Sequence, residues 1–272
     1  MLNYIAHGSD TALPPLLIAP GLFGSGRNWG VIAKHLSARR RVLALDMRNH
    51  GDSFWHPAHG YAELAADLAQ VIEAEGRACD VLGHSMGGKA VMMLALTRPG
   101  LVRRIVVADM APVPYAHGAA HGQLIAAMQA LDLSGLTSRA EADRRFAQSV
   151  SDPGTRAFLL QSLELREGPV RWKFNLEALA QALPAILDWP ALPQGARPFE
   201  GPALFLYGGA SDYMRPEYHG AIRALFPHAE MSCIEGAGHW LHAERPRAVE
   251  SAVEDFLSRA EDLRPGASSS GP

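Results

Sequence analysis

The chain has 272 residues, 48% of them hydrophobic, which is enough for one large domain with an insertion or for two small domains. The formal net charge is −3 and no long Lys/Arg run occurs, which argues against nucleic-acid binding. No apolar stretch reaches the ~18 residues of a membrane span, and residues 1–10 do not resemble a secretory signal. Cys79 and Cys233 fall in predicted strands as apolar fillers, so a reducing, cytoplasmic setting is expected.

The first third of the chain alternates between short apolar runs and a helical pattern. In residues 61–75, Leu64, Leu68, Val71 and Ile72 recur at the spacing of one helix face. The apolar runs predict strands at residues 16–18, 42–45, 79–82 and 105–108. Continuous apolar strands between helices are typical of a sheet covered on both faces. The predicted fold class is therefore α/β, with a mostly parallel central sheet flanked by helices.

The alternation stops at Pro112 and resumes near residue 203. The intervening part shows no convincing buried strand, and its patterns predict helices at residues 124–131, 141–150, 157–165 and 176–183. Further strands are predicted at 203–207 and 231–234, followed by a helix at 249–257. We expect a core of residues 1–114 and 197–260, a helical cap inserted at 115–196, and a disordered tail at 261–272.

Ser85 lies at the centre of Gly83-His84-Ser85-Met86-Gly87, between a predicted strand at 79–82 and a predicted helix at 90–96. A Gly-x-Ser-x-Gly pattern arises by chance in about one chain in ten of this length, so the strand-to-helix context carries the interpretation. Flanking glycines allow the sharp turn that such a serine needs. The turn would aim the Met86 N–H at the space beside the hydroxyl, where an oxyanion can form. Ser85 is the predicted nucleophile.

The serine hydroxyl needs a base within hydrogen-bonding reach. Among 12 histidines, position favours His239, in Gly236-Ala237-Gly238-His239-Trp240 directly after the last predicted strand. Parallel sheets place functional groups at the carboxyl ends of their strands, and a Gly-Ala-Gly loop can carry an imidazole over the serine. His239 is therefore the predicted base.

The acid that orients the imidazole is left open by the residues alone. Asp109 ends the strand that follows the nucleophile strand, and Asp212, in Gly208-Gly209-Ala210-Ser211-Asp212, ends the next one. Both give the chain order Ser, Asp, His, and position alone slightly favours Asp212.

An oxyanion hole needs a second N–H donor besides that of Met86. The loop Gly21-Leu22-Phe23-Gly24 follows the first predicted core strand. The N–H of Leu22, or that of Phe23, is the expected donor.

Two competing interpretations are weaker. Residues 83–89 match a phosphate-binding loop, but the next position is Ala90, where such a loop needs a Ser or Thr hydroxyl on the metal. Two pairs of neighbouring histidines lack an obvious third metal ligand. These pairs are His117 with His121 and His56 with His59. No metal and no cofactor are predicted.

Six motifs together resemble those of the α/β-hydrolase superfamily, and more narrowly an esterase group that includes bacterial YbfF-like esterases and ABHD-type mitochondrial relatives. In chain order they are Gly21-Leu-Phe-Gly-Ser25, Asp46-Met-Arg-Asn-His-Gly51, Gly83-His-Ser-Met-Gly-Gly-Lys89, Asp109-Met-Ala-Pro112, Trp172-Lys-Phe-Asn175 and Gly236-Ala-Gly-His-Trp240. They run in order through nearly the whole chain.

The resemblance implies that the acid is Asp109, with Asp212 as a substitute or supporting group. It also reveals a departure, since relatives usually carry His-Gly where this chain has Pro20-Gly21. The donor in that loop is a backbone N–H, so the oxyanion hole should survive the change. Asp46 and Arg48 are expected to brace the loop below the site, and His50 to share that role.

Substrate choice is expected to lie with the inserted segment. Aromatic residues could line an apolar acyl pocket, although helix packing explains those of the insertion equally well; they are Phe158, Trp172, Phe174, Trp189 and, after the base, Trp240. Basic residues in the insertion are by default a solvated face, but they could also bind an anionic acyl carrier such as a CoA thioester. They are Arg144, Arg145, Arg166, Arg171 and Lys173.

The sequence thus predicts a serine hydrolase that cleaves small carboxylic esters or acyl thioesters through an acyl-enzyme. It would need no cofactor and act as a monomer or homodimer. Acyl transfer, C–C bond hydrolysis or perhydrolysis could use the same triad. From other classes, a non-catalytic binding module or a nucleotide-binding protein is the alternative.

Overall fold

The computed structural model describes residues 1–116, 118–165 and 168–259, so the tail predicted at 261–272 lies outside the described residues. Within these ranges the strands are β1 (Tyr4–His7), β2 (Leu16–Ala19), β3 (Val42–Leu45), β4 (Cys79–His84), β5 (Val102–Ala108), β6 (Leu163–Glu164), β7 (Arg171–Trp172), β8 (Ala203–Gly208) and β9 (Ala229–Ile234). The helices are α1 (Gly30–Leu36), α2 (Tyr61–Ala74), α3 (Met86–Thr97), α4 (Gly118–Ala130), α5 (Arg139–Phe146), α6 (Pro153–Leu160), α7 (Leu176–Leu187), α8 (His219–Leu225), α9 (Leu241–Glu244) and α10 (Pro246–Arg259).

Seven strands form one sheet in the order β1-β3-β2-β4-β5-β8-β9. Only β1 runs antiparallel to its neighbour, and every other pairing is parallel. The predicted mostly parallel α/β sheet is therefore confirmed. The edge strand β1 was not predicted, because its middle positions are exposed and the apolar run that marks a buried strand is missing.

Helices cover both faces of this sheet, and the side chains of β2 show how the two cores divide. Leu17 packs in the cluster that includes α2 and α3, whereas Leu16 and Ile18 pack in the cluster that includes α1 and α10. Successive side chains of a strand point to opposite faces, so a strand covered on both sides must be apolar at each position. Every residue of β2, β3 and β4 is accordingly buried.

The segment between β5 and β8 contains α4, α5, α6 and α7, as its helical patterns predicted. One detail differs from the prediction. The helix expected over residues 157–165 ends at Leu160, and Leu163 pairs across a short antiparallel ladder with Trp172. Both side chains of that pair are buried, and the ladder places them side by side. The expectation of no strand in this segment was therefore wrong.

The inserted segment is fastened to the core near the carboxyl ends of the strands. The Tyr61 hydroxyl at the start of α2 donates to the Ile186 carbonyl over 2.5 Å. The Asn175 amide donates to the Asn49 carbonyl, just beyond β3, over 3.0 Å. The end of α7 and the start of α7 are thus both tied to core loops.

In the three ranges of the chain given above, none of the helices is both long enough and apolar enough to cross a membrane.

Two backbones approach closely where β4 turns into α3. A Cβ atom at Gly87 would overlap the carbonyl oxygen of Ala19, at the end of β2, and one at Gly83 would overlap the carbonyl of Gly87. Only residues without a side chain allow the helix to start this close to the sheet.

We expect Gly87→Ala to lower the free energy of unfolding by about 1–3 kcal/mol, because the backbone must shift to admit the methyl group. Urea unfolding measures this change. Gly100→Ala is the matched control, since a Cβ at Gly100 meets nothing within 4 Å and should alter stability little. Equal stabilities of the two variants would show that the close approach is not a constraint.

Candidate active site

Ser85 occupies the turn between β4 and α3 in a strained conformation. Its φ is 53° and its ψ is −120°, values that residues with a side chain rarely adopt. The Ser85 amide donates to the Ala108 carbonyl at the end of β5 over 3.1 Å, and its carbonyl accepts from the Lys89 amide. These bonds hold the side chain at the carboxyl edge of the sheet while the flanking glycines keep the backbones close.

Three predicted residues meet at this edge. The Ser85 Oγ lies 3.1 Å from His239 Nε2, and His239 Nδ1 lies 2.7 Å from Asp109 Oδ2. The carboxylate accepts from Nδ1–H, which leaves the Nε2 lone pair facing the serine hydroxyl. His239 is therefore placed to remove the hydroxyl proton.

Asp109 is fully buried, and its carboxylate is held by three groups. Besides His239, the Gly208 amide donates to Oδ1 over 3.1 Å, and the Ser211 hydroxyl donates to Oδ2. The backbone of Asp109 has a φ of 51°. The hydrogen bonds fix the orientation of the carboxylate, which in turn fixes the imidazole. Ser211 was not singled out from the sequence, because one serine in a glycine-rich loop carries no signal.

Asp212, the alternative acid, does not contact His239. Its side chain is exposed, and its carbonyl accepts a hydrogen bond from Arg215 Nε over 3.3 Å. The loop after β8 thus contributes to the site through Ser211 rather than through Asp212. The carboxylate at hydrogen-bonding distance from the base is that of Asp109, as the family resemblance implied.

Two further rings position His239. The Tyr213 ring stacks on the imidazole with 3.9 Å between centroids and 20° between planes. His84, which precedes the serine, donates from Nε2 to the carbonyl of His239 over 2.8 Å. The residue next to the nucleophile thereby holds the backbone of the base.

The loop after β2 runs beside the serine. A Cβ at Gly21 would lie 2.9 Å from His84 Nδ1 and 3.0 Å from Ser85 Cβ, so this approach also needs glycine. The Phe23 amide is occupied, because it donates to His50 Nε2 over 3.2 Å. The sequence offered the backbone N–H of Leu22 or of Phe23 as the second donor to an oxyanion. Because the Phe23 N–H is occupied, the Leu22 N–H is the remaining candidate.

His50 connects that loop to the predicted bracing motif. It is fully buried, and its Nδ1 donates to the Arg48 carbonyl over 2.9 Å, so Nε2 is free to accept from Phe23. Asp46 supports the neighbouring turn, because its Oδ1 accepts from the Gly26 amide over 2.9 Å. Arg48 in turn donates two hydrogen bonds to the buried Asp67 carboxylate, from Nε to Oδ2 over 2.6 Å and from Nη2 to Oδ1 over 2.8 Å.

Two cavities flank Ser85. The outer cavity is lined by His239 and by the predicted pocket residues Phe158 and Trp240. The inner cavity is lined by Met86, the start of α3. Leu22 and Ser85 line both cavities. The Ser85 residue therefore lies between the two cavities.

Trp172 and Phe174 line neither of these two cavities, contrary to the prediction. Trp172 is buried, and its Nε1 donates to the Met128 carbonyl over 2.9 Å. The Phe174 ring packs against Phe23, with 5.7 Å between centroids. Both aromatic residues serve the packing of the inserted segment, the alternative that their helical surroundings had left open.

Three of the five basic residues singled out in the inserted segment pair with carboxylates. Arg145, Arg171 and Lys173 each form an ion pair, at 2.5, 2.7 and 2.5 Å respectively; their partners are Glu141, Glu164 and Asp52. Arg144 is exposed, and Arg166 lies outside the described residues. This pairing does not favour an anionic carrier site at these positions.

Metal ligation by the histidine pairs finds no geometric support in the part of the chain that the structure describes. There, no three His, Cys, Asp or Glu side chains are grouped as a metal ion requires. His117 lies outside that part. His59 is buried, with Nδ1 3.2 Å from Asn49 Nδ2 and Nε2 3.3 Å from Met86 Sδ.

Comparison with known proteins shows the family to which the chain belongs. The sequence profile of the alpha/beta hydrolase family matches residues 16–252. The chain is 40% identical over 264 residues to the mouse (Mus musculus) sn-1-specific diacylglycerol lipase ABHD11, which covers 94% of this chain and 85% of that protein. It is 37% identical over 245 residues to the Escherichia coli esterase YbfF, and the match covers 90% of this chain and 93% of that protein. A solved structure described as a marine microorganism esterase superposes with a TM-score of 0.88 at 33% identity, covering 94% and 98%.

The chain belongs to the α/β-hydrolase family, and within that family it is of the YbfF/ABHD type.

Buried imidazoles surround the site, and burial makes each harder to protonate. Burial lowers the pKa of His50 to about 4 and the pKa values of His59 and His242 to about 3, and it lowers the pKa of His84 well below its usual value. The unfolded chain would protonate them near pH 6.5. Below that pH the unfolded state therefore binds more protons than the folded state. The contribution of these neutral imidazoles to the free energy of unfolding is therefore fully present above about pH 6.5 and decreases as the pH drops towards 4.

We expect His242→Phe to reduce this pH dependence, because the ring can stay stacked on Trp29 while one titrating group is lost. The slope of unfolding free energy against pH, measured by urea unfolding between pH 6.5 and 4, should fall by up to about 1.4 kcal/mol per pH unit. Ser149→Ala, at an exposed position without a titratable side chain, is the control and should keep the wild-type slope. An unchanged slope in His242→Phe would contradict the neutral buried state of that ring.

Proposed function

We propose that the protein is a serine hydrolase that cleaves small carboxylic esters through an acyl-enzyme intermediate. The names of its relatives, esterase and diacylglycerol lipase, support a carboxylic ester hydrolase. The observation that carries the proposal is the continuous contact from Asp109 through His239 to Ser85, with 2.7 and 3.1 Å between the bonding atoms.

In the first step, Ser85 Oγ attacks the ester carbonyl carbon while His239 Nε2 accepts the hydroxyl proton. Asp109 stays ionised and stabilises the imidazolium that forms, since its carboxylate accepts from Nδ1–H. The Gly208 amide and Ser211 hydroxyl keep that carboxylate in place, so little rearrangement accompanies the charge separation.

The negative charge on the carbonyl oxygen would be stabilised by the N–H groups of Leu22 and Met86. Met86 is the first residue of α3, so its amide has no partner within the helix and lies at the positive end of the helix dipole. Loss of one such donor typically costs about 10²–10³ in kcat. We assign His50 the role of positioning Leu22, because it holds the adjacent Phe23 amide.

His239 then donates its proton to the leaving alcohol, and water hydrolyses the acyl-enzyme with the same residue as base. The alcohol must lie where His239 Nε2 can reach it. His239 lines the outer cavity, so we place the alcohol there and the acyl group in the inner cavity. Residues 115–196 act in this proposal as a cap that closes both cavities. A cytoplasmic setting and a monomeric or homodimeric state stay predictions.

Two observations favour this function over a nucleotide-binding loop. Lys89, which would face phosphates in such a loop, is buried and donates to two main-chain carbonyls of the inserted segment. Ala90 provides no hydroxyl for a metal ion. A non-catalytic binding module, in turn, would not need an aligned serine, imidazole and carboxylate.

A fluorophosphonate probe tests the nucleophile, because it forms a covalent bond only with an activated serine. We expect the wild type to be labelled at Ser85, and Ser85→Ala to lose both the label and turnover of 4-nitrophenyl butyrate. Ser149→Ala, at an exposed serine, should behave as wild type. Labelling of the Ser85→Ala protein at a similar rate would refute the proposed nucleophile.

The acid is tested by comparing Asp109→Asn with Asp212→Asn. We expect kcat to fall by about 10⁴ in the first variant, because the amide oxygen would accept from the Gly208 N–H while the amide NH2 would donate to His239 Nδ1. The imidazole proton would then sit on Nε2, which could no longer accept the serine proton. In the second, kcat should stay within about twofold of wild type, as for a surface change. If only Asp212→Asn loses activity, the assignment of the acid is wrong.

A further inference from the structure

Lys89 is a buried cation one helical turn from the nucleophile. Only 1% of the residue is exposed, and it lies four positions after Ser85, on the same face of the helix. Its Nζ donates to the carbonyls of Leu187 and Asp188 over 3.0 and 2.7 Å. The Tyr115 ring lies 4.8 Å from Nζ.

No carboxylate forms an ion pair with this ammonium among the residues 1–116, 118–165 and 168–259. Asp188 is the acidic residue whose charge acts on it, but that side chain is exposed and its Oδ1 accepts from the Trp189 amide. Lys89 also lies in the first turns of α3, where the helix dipole disfavours a positive charge. Burial lowers the pKa of Lys89 to about 7. The carbonyls and rings therefore leave the charge only partly compensated.

The inner cavity joins this charge to the reaction centre. Lys89 and Ser85 both line it, and most of the remaining wall consists of apolar and aromatic side chains, among them Met110, Tyr115 and Ile186. An ammonium has three N–H donors, and the two carbonyls accept from two of them. Lys89 thus brings a buried cation to the wall of a mostly apolar cavity, a setting of low polarity in which a charge acts strongly on a bound anion.

We propose that the inner cavity accepts acyl groups that carry a carboxylate at the far end, and that Lys89 determines this specificity. The inference rests on the proposed function, because it takes the acyl group to be the part of the ester in the inner cavity. The reaction is the hydrolysis of a half-ester of a short dicarboxylic acid. Water cleaves the bond between carbonyl carbon and alkoxy oxygen, and the products are the dicarboxylic acid and the alcohol.

Fastening of the inserted segment is a second role for Lys89, since its two acceptors are the last carbonyls at the end of α7. That role alone would make a substitution harm all substrates equally. A specificity role predicts a larger loss of kcat/KM for charged than for uncharged acyl groups. The ratio of the kcat/KM values of two such substrates therefore separates the two roles.

The experiment compares monoethyl glutarate with the ethyl ester of glutaramic acid, which has the same shape with a neutral amide in place of the distal carboxylate. We expect the wild type to prefer the charged ester in kcat/KM, and Lys89→Met to reduce that preference by about 10- to 100-fold. Lys34→Met, at an exposed lysine, is the matched control and should keep the wild-type ratio. An unchanged ratio in an active Lys89→Met protein overturns the proposal.

A third substrate tests the side on which the charge is bound. In O-butyryl glycolate the carboxylate belongs to the alcohol, so Lys89→Met should affect it no more than the neutral ester. A selective loss for this substrate instead would overturn the acyl-side assignment.

Binding to Ser85→Ala protein, measured by calorimetry, needs neither turnover nor a folded Lys89 variant. We expect monoethyl glutarate to bind at least tenfold more tightly than the ethyl ester of glutaramic acid, and equal affinities refute the proposal. Failure of the proposed function gives a different pattern, namely no probe label and no turnover of any ester by the wild type, whatever the two esters do in this binding assay.

Discussion

The site depends on one constraint, the close contact between the first turn of α3 and the end of β2. Because the backbone at Gly87 lies against the Ala19 carbonyl, the chain between β4 and α3 has room only for a tight turn. Ser85 takes up the resulting φ of 53°. The strain is sustained by the parallel pairing of β4 with both of its neighbours. The serine is thereby held above the sheet, and the Met86 amide lies beside it.

The order of the strands brings the partners of this serine to the same edge. His84 is in register with Ala108 on β5, so Asp109 follows directly beside Ser85. The next strand, β8, pairs in parallel with β5, β9 pairs in parallel with β8, and the loop after β9 carries His239. His239 is therefore in hydrogen-bonding contact with Asp109 and with Ser85, although these two residues lie 130 and 154 positions away from it along the chain. The contact requires no special loop lengths, because parallel strands end at one edge.

The sequence was informative where burial or glycine leaves a local pattern, and uninformative where a choice depends on the path of a loop. The strands from β2 to β5 are buried on both faces, so they form apolar runs that can be recognised in the sequence. The half-exposed β1 has no such run and was therefore missed. Asp109 and Asp212 both follow strands, and only the turn after β8, which directs Ser211 inward, decides between them. Burial within a helix packing and burial beside a cavity look alike in sequence. The sequence therefore could not distinguish Trp172, which packs inside the inserted segment, from Phe158, which lines the outer cavity.

The inserted segment and the nucleophile helix share one buried cation, and this sharing has an energetic consequence. Removing an ammonium from water costs several kcal/mol, on the order of what two hydrogen bonds to carbonyls and an aromatic contact return. The charge of Lys89 is therefore only partly compensated. A carboxylate bound in the inner cavity, as proposed above, would favour the charged form of Lys89 and so strengthen its hydrogen bonds to the end of α7. The bound acyl group and the attachment of the inserted segment would then depend on one side chain, because Lys89 both lines the inner cavity and donates to the carbonyls of Leu187 and Asp188.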